Sequence, residues 1–228
     1  MKLGGKCEVC GSDLEIDWDR TVRSDAAKTI VLPCSECQVR GDLQKRGVPA
    51  EYQRCRLENF RVETEQDEKA LRTAHAFIER GGERWLVISG DIGRGKTHLA
   101  TGVFRGMLRF NSRWIDQPEA ITELRVRGER WESGSFTAKL QDAKLLLWDD
   151  YGVGIGAKDE GALIESVFHR RTANRLTTIV TTNLSGKAFG ASLGPRLAER
   201  IREKIFAWVS LSGESRRVRQ PIIGDESR

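Results

Sequence analysis

Long apolar runs are what this 228-residue chain most plainly lacks. No stretch approaches the roughly 20 consecutive apolar residues of a bilayer-spanning helix, so a protein of that kind is excluded. Internal repeats and low-complexity tracts are absent too, which sets aside solenoids and disordered scaffolds. Met1-Lys2-Leu3-Gly4-Gly5 has no apolar signal-peptide core, so a reducing, cytoplasmic setting is expected. Neither charge sign dominates. Thirty-eight Lys and Arg stand against 33 Asp and Glu, and the net +5 suits a nucleic-acid or acidic-protein partner without requiring one. The length fits one α/β core of about 170 residues plus a small module.

What is present begins with Gly90-Asp91-Ile92-Gly93-Arg94-Gly95-Lys96-Thr97, a complete G-x-x-x-x-G-K-[ST]. The apolar, β-rich run Trp85–Ser89 precedes it, and Leu99, Val103, Met107 and Leu108 follow at helical spacing. Strand, glycine loop and helix in that order form the context the motif needs. Backbone N–H groups of such a loop turn toward phosphate oxygens at a helix N-terminus. Lys96 then reaches the β- and γ-phosphates of a nucleoside triphosphate, and the Thr97 hydroxyl ligates Mg²⁺.

Leu145-Leu146-Leu147-Trp148-Asp149-Asp150 is an apolar run ending in two carboxylates, as in a buried parallel strand. Ligands of open α/β sheets lie at the carboxyl ends of strands. Asp149 is therefore assigned to Mg²⁺, largely through water, and Asp150 to the attacking water. Two caps for the following segment are the plainer alternative. The β-branched run Thr177–Thr182 reads as a strand ending at Asn183. Asn183 is placed to touch the γ-phosphate and water, although an Asn after a strand is also an ordinary turn residue.

The five cysteines all fall in the first 55 residues. Cys7, Cys10, Cys34 and Cys37 form C-x₂-C, a gap of 23 residues, and C-x₂-C. Four thiolates so spaced suit one structural Zn²⁺ with a closed coordination sphere. Cys55 reads as a small buried side chain. A zinc domain is expected over 1–45, a linker over 46–66 with its break near Gly41–Pro49, and the main domain over 67–228. A helix over Asp67–Arg80 carries Ala70, Leu71, Ala74, Phe77 and Ile78 at helical spacing. Strands are expected near 85–89, 113–116, 145–149, 177–182 and 206–211, in a doubly wound parallel sheet.

From about Tyr52 to Arg217 the chain resembles the DnaC/DnaI/IstB group of AAA+ ATPases, the helicase loaders and transposition helpers. The matching stretches are GDIGRGKTHLA (90–100), LLLWDDYG (145–152), TTIVTTNLS (177–185), LAERI (197–201) and GESRR (213–217). The resemblance implies a P-loop AAA+ (ASCE) fold, five parallel strands flanked by helices, with the P-loop strand central. It also places the Asn183 strand between that strand and the Asp149 strand. It extends the nucleotide-binding set to His98. It further implies that Arg200 is an arginine finger for a neighbouring subunit and Arg216 a second sensor arginine. Read from the residues alone, both are equally surface charges. Only seventeen residues follow Leu211, too few for a helical lid, so none is expected.

The function so implied is an ATPase, slow and stimulated by assembly or DNA, that binds single-stranded DNA and delivers a DnaB-type replicative helicase. A homo-oligomeric ring or spiral is expected. An IstB-type transposition helper and a nucleotide-dependent adaptor with negligible turnover are the alternatives. Arg125, Arg127 and Arg130 around Trp131, with Phe136 beyond, fit a strand-tracking surface or an ordinary solvated helix. The loop Gly152–Lys158 is where loaders meet DNA, but here it has no aromatic residue.

Overall fold

The five runs become the strands of one sheet in the computed structural model, which describes Cys7 and residues 34–80, 82–127, 136–153 and 158–216. In chain order the strands are β1 Trp85–Gly90, β2 Ser112–Asp116, β3 Leu145–Tyr151, β4 Thr177–Thr182 and β5 Ile205–Leu211. Their spatial order is β2-β3-β4-β1-β5, all parallel. β4 lies between β1 and β3, as the resemblance implies. β1 is interior but fourth of five, and the middle strand is β4 rather than the P-loop strand. Apolar content marks a strand as buried and does not rank it among its neighbours.

The helices are α1 Ser35–Lys45, α2 Glu65–Arg80, α3 Lys96–Gly106, α4 Gln117–Arg127, α5 Phe136–Asp142, α6 Lys158–Ala173, α7 Gly186–Leu193 and α8 Pro195–Lys204. None is long and apolar enough to cross a membrane among the described residues. The amphipathic spacings are used as expected on α2, where Ala70, Ala74 and Phe77 are buried, and on α3, where Leu99 and Val103 are. One spacing runs past its helix: Met107 and Leu108 lie beyond the end of α3.

Two compact units divide between Arg54 and Cys55. The first contains α1, whose N-terminus is capped by Cys34 Sγ accepting from the Cys37 amide at 3.3 Å. Residues 41–45, expected near a break, form the last turns of α1, and 55–64 belong to the second unit.

In the second unit Trp85, Trp148, Val180, Phe168, Phe189, Leu197 and Ile201 share one buried cluster. Phe168 of α6 meets Trp85 and Trp148 edge-on, with centroids 5.0 and 5.2 Å away. Such pairs add about 0.5–1.5 kcal/mol each beyond burial. Arg171, one turn further along α6, is fully buried. Its guanidinium donates to the carbonyls of Leu140, Ala143 and Thr177 and to Thr178 Oγ1, at 2.6–3.0 Å. It thereby ties α5 and α6 to the start of β4. Burial pulls its pKa down to about 9, which leaves it charged at neutral pH.

Candidate nucleotide site

The chain leaves β1 at Gly90 and enters α3 at Lys96, so the loop 90–95 wraps the N-terminus of α3 at the carboxyl edge of the sheet. Two glycines are sterically required. Gly90 has φ +146°, and a Cβ there would lie 2.0 Å from the Leu211 carbonyl oxygen of β5. Gly95, the α3 N-cap, is left-handed at φ +86°. A Cβ on it would press within 3.1 Å of the Arg216 guanidinium. Lys96 is buried, and its Nζ donates to the Asp91 carbonyl at 2.9 Å, across the hollow of the loop. Ile92, at the loop tip, is 67 % exposed.

The loop is also anchored from outside by charge. Thr64 and Asp67 form a capping box at the start of α2: the Asp67 amide donates to Thr64 Oγ1 and the Thr64 amide to Asp67 Oδ2. Burial alone would raise the Asp67 pKa. The Glu63 amide, the Thr64 hydroxyl, Arg216 and the Thr64 amide outweigh it and hold this carboxyl below its ordinary value. Arg94, 2 % exposed, faces Glu63 and Asp67 at 3.5 and 3.6 Å and donates to the Glu214 carbonyl. Arg216 meets Asp67 Oδ1 at 2.6 Å and Glu63 at 3.3 Å, lies over the Phe60 ring, and donates its amide to the Gly93 carbonyl. The P-loop, the α2 start and the segment after β5 therefore share one four-charge network. His98 reaches a different partner: its Nε2 meets Asn59 Oδ1 and the Arg56 carbonyl at 2.8 and 3.1 Å.

Asp149 and Asp150 stand where β3 loses register with β4, between Trp148 and Tyr151. Asp149 is 3 % exposed, receives the Thr181 hydroxyl at 2.6 Å, and is hydrogen-bonded by the Thr97 side chain. Its pKa is pushed up to about 6, first by burial and then by the neighbouring charges of Asp150 and Asp116. Asp150 is more open and has a left-handed backbone, φ +51°.

The raised pKa has a consequence for the nucleotide-free protein. The folded state holds a proton on Asp149 between its ordinary 3.8 and about 6, where the unfolded chain has released it. Stability contributed by this group is therefore highest below that window and falls as pH rises through it. Asp149→Asn keeps the acceptor for Thr181 and removes the charge. It should stabilise the nucleotide-free protein at pH 7.5 by up to about 3 kcal/mol and by much less at pH 4. Urea unfolding at the two pH values measures this, and equal or lower stability of the variant at pH 7.5 counts against it.

Asn183 follows β4 directly and is exposed, between the ends of β3 and β1. Arg200 is exposed on α8, flanking the face that buries Leu197 and Ile201, and its Nη1 contacts His169 Nε2 of α6 at 2.7 Å. Cys7, Cys34 and Cys37 bring their sulfurs within 4.8 Å of one another, and Cys10 lies outside the described residues. So do Arg130, Trp131, residues 154–157, and the side chains of Arg125, Arg127 and Lys158. Phe136 packs against the core cluster.

Four residues escape sequence reasoning. Thr181 reads there only as a β-branched strand residue. Gln117, fully buried, accepts from the Gly152 amide and donates to the Val153 carbonyl, holding the segment after β3. Glu63 and Asp67 have no site role in the sequence reading, where Asp67 only opens the expected helix, although Thr64-x-x-Asp67 is a visible capping signal.

Comparison with known proteins agrees with this fold. The family model for IstB-like ATP binding proteins matches residues 48–222. The replicative helicase loader DnaC of Buchnera aphidicola subsp. Schizaphis graminum is 23 % identical over 216 residues, 92 % of this chain and 87 % of that protein. DnaC of Escherichia coli K12 is 28 % identical over 181 residues, 77 % and 74 % of the two chains. Among solved structures, the DnaC helicase loader superposes with TM-score 0.64 at 21 % identity, covering 72 % of this chain and 99 % of that one. A DnaI structure gives 0.61 at 21 % identity, over 72 % and 94 %. With its P-loop and parallel sheet in this order, the chain belongs to the IstB-like ATP binding protein family of AAA+ P-loop ATPases.

Proposed function

We propose that this protein is an ATP-dependent loader of a DnaB-type replicative helicase, acting on single-stranded DNA. The observation that carries the reading is that relatives called replicative helicase loader align over most of their own length as well as this chain's. A match confined to the P-loop and its two strands would carry no such information.

In this reading Gly90, Asp91, Ile92, Gly93, Arg94, Gly95, Lys96 and Thr97 receive the triphosphate, with Lys96 exchanging the Asp91 carbonyl for phosphate oxygens. Thr97 and Asp149 would hold Mg²⁺, and the fit is chemical: a hydroxyl beside a buried carboxylate, both oxygen donors of the kind that ion takes. That ion supplies neutralisation of phosphate charge. Asp150, more open than Asp149, orients or deprotonates the attacking water, and Asn183 helps place it. Arg216, bonded to Gly93 and lying against Gly95, senses the state of the loop. Arg200 engages α6 of its own chain, a position suited to leaving for a neighbour's nucleotide in a ring or spiral.

The first unit is proposed as a zinc module docking on the helicase or another replication protein. In a tetrahedron of thiolates about 2.3 Å from Zn²⁺, sulfurs are about 3.8 Å apart. Cys7 and Cys37 stand at 3.8 Å, far beyond a disulfide. Cys10 completes the set. Purified protein should contain about one zinc per chain, and Cys34→Ser should release it and expose the first 45 residues to protease while nucleotide binding persists. Zinc-free protein prepared without chelator contradicts this assignment.

Co-purification with a hexameric replicative helicase from the same genome tests the partner. Recovery of a stoichiometric complex, with ATP turnover stimulated by single-stranded DNA, is the expected result. Association with a transposase instead favours the helper reading, to which the IstB name of the family model also belongs.

A further inference from the structure

We infer that Thr181 is the positioning residue for both acids of the site, an inference that rests on the ATPase reading above. β3 and β4 are in register up to Trp148 opposite Val180, and pair again at Tyr151 opposite Thr182. Between these points the ladder is interrupted, and the interruption carries the two carboxylates. A bulge of this kind aims side chains, but it forfeits the peptide hydrogen bonds that would otherwise fix it.

Threonine hydroxyls stand in for those bonds. Thr181 Oγ1 accepts from the Asp150 amide at 2.9 Å and donates to Asp149 Oδ1 at 2.6 Å. One residue on, Thr182 Oγ1 donates to the Tyr151 carbonyl at 2.7 Å and accepts from the Leu184 amide at 3.1 Å. A hydroxyl has one proton to donate. Because the Asp150 amide is itself a donor, the Thr181 proton is committed to the Asp149 carboxylate, and the two bonds enforce one another. The backbone of Asp150 adds an independent indication. Its φ of +51° is uncommon for a residue with a side chain, although Asp tolerates it better than most, and it turns the chain out of the ladder at this point. Thr181 is fully buried, so water does not replace its hydroxyl. One side chain on β4 thus sets where the Asp149 carboxylate lies and which way Asp150 leaves the strand.

Thr181→Val tests this by removing the hydroxyl at nearly constant shape, and Thr181→Ser by keeping the hydroxyl and removing the methyl. Three quantities are measured on the full chain: ATP turnover, the dissociation constant for a fluorescent ATP analogue, and hydrogen exchange of the Asp150 amide without nucleotide. Thr181→Val should lower kcat at least tenfold and speed Asp150 exchange at least tenfold, with affinity within threefold of the parent. Thr181→Ser should return both to near the parent value. A merely structural threonine predicts parallel loss of affinity and turnover, with no rescue by serine. Thr181→Ala carries the same expectation as valine if the valine variant does not fold. Parent-like turnover in the hydroxyl-free variant overturns the inference. In a parent that hydrolyses no ATP it is the ATPase reading that fails, and unchanged Asp150 exchange then overturns the role of Thr181.

Discussion

Mixing Arg200→Ala protein with Lys96→Ala protein should restore ATP turnover that neither variant shows alone. A guanidinium acting in trans neutralises charge that spreads over the γ-phosphate oxygens in the transition state. In GTPases such a group is worth about three to five orders of magnitude in rate. Arg200 is exposed on α8 and meets an imidazole nitrogen of α6, His169 Nε2, at 2.7 Å. An exposed contact of this kind contributes little, so releasing it toward another subunit costs little. Turnover per chain in the parent should rise with protein concentration and rise again with single-stranded DNA. Arg200→Ala should lack that rise while binding ATP like the parent. In the mixture, an intact Arg200 from the Lys96 variant faces an intact P-loop on the Arg200 variant. Concentration-independent turnover in the parent, with no rescue on mixing, assigns Arg200 to the surface and favours the adaptor reading.

Asp150→Asn should keep ATP affinity and lose about 10²- to 10⁴-fold in hydrolysis. The backbone makes this substitution informative. Asp150 is left-handed, and Asn is among the few side-chain-bearing residues that tolerate that conformation. Asp149 keeps its bonds to Thr181 and Thr97, so the phosphate-binding half of the site is undisturbed. Only the base, or the charge orienting the water, is removed. Parent-like turnover in Asp150→Asn moves the assignment to Asp149 or to a partner's side chain.

These predictions rest on features that differ in how openly the chain displays them. Parallel strands covered on both faces are written as apolar or β-branched runs, which is why the sequence alone places Leu145–Trp148 and Thr177–Thr182 as strands. The P-loop is equally open, because its glycines are demanded locally, by Leu211 at Gly90 and by the left-handed cap at Gly95. Strand order is not a local property, and β1 proved interior without being central. The charge network was hidden for a different reason. Arg94, Glu63, Asp67 and Arg216 are the residue types expected in water, and their partners are separated by long stretches of chain. Thr181 was hidden by its own suitability for a strand, since a β-branched residue there needs no second explanation.

The claim that most needs testing is that ATP chemistry at this site delivers a helicase to DNA. A closed circle of single-stranded DNA offers no end, so a ring helicase encircles it only if the ring is opened. The measurement is helicase activity on a primer-bearing circle, with the replicative helicase of the same genome and this protein added at increasing concentration. The parent with ATP should raise unwinding at least tenfold over helicase alone. Lys96→Ala should give no rise, and Asp150→Asn should bind helicase without completing repeated delivery. Unwinding that is independent of this protein, or equally stimulated by Lys96→Ala, contradicts the account.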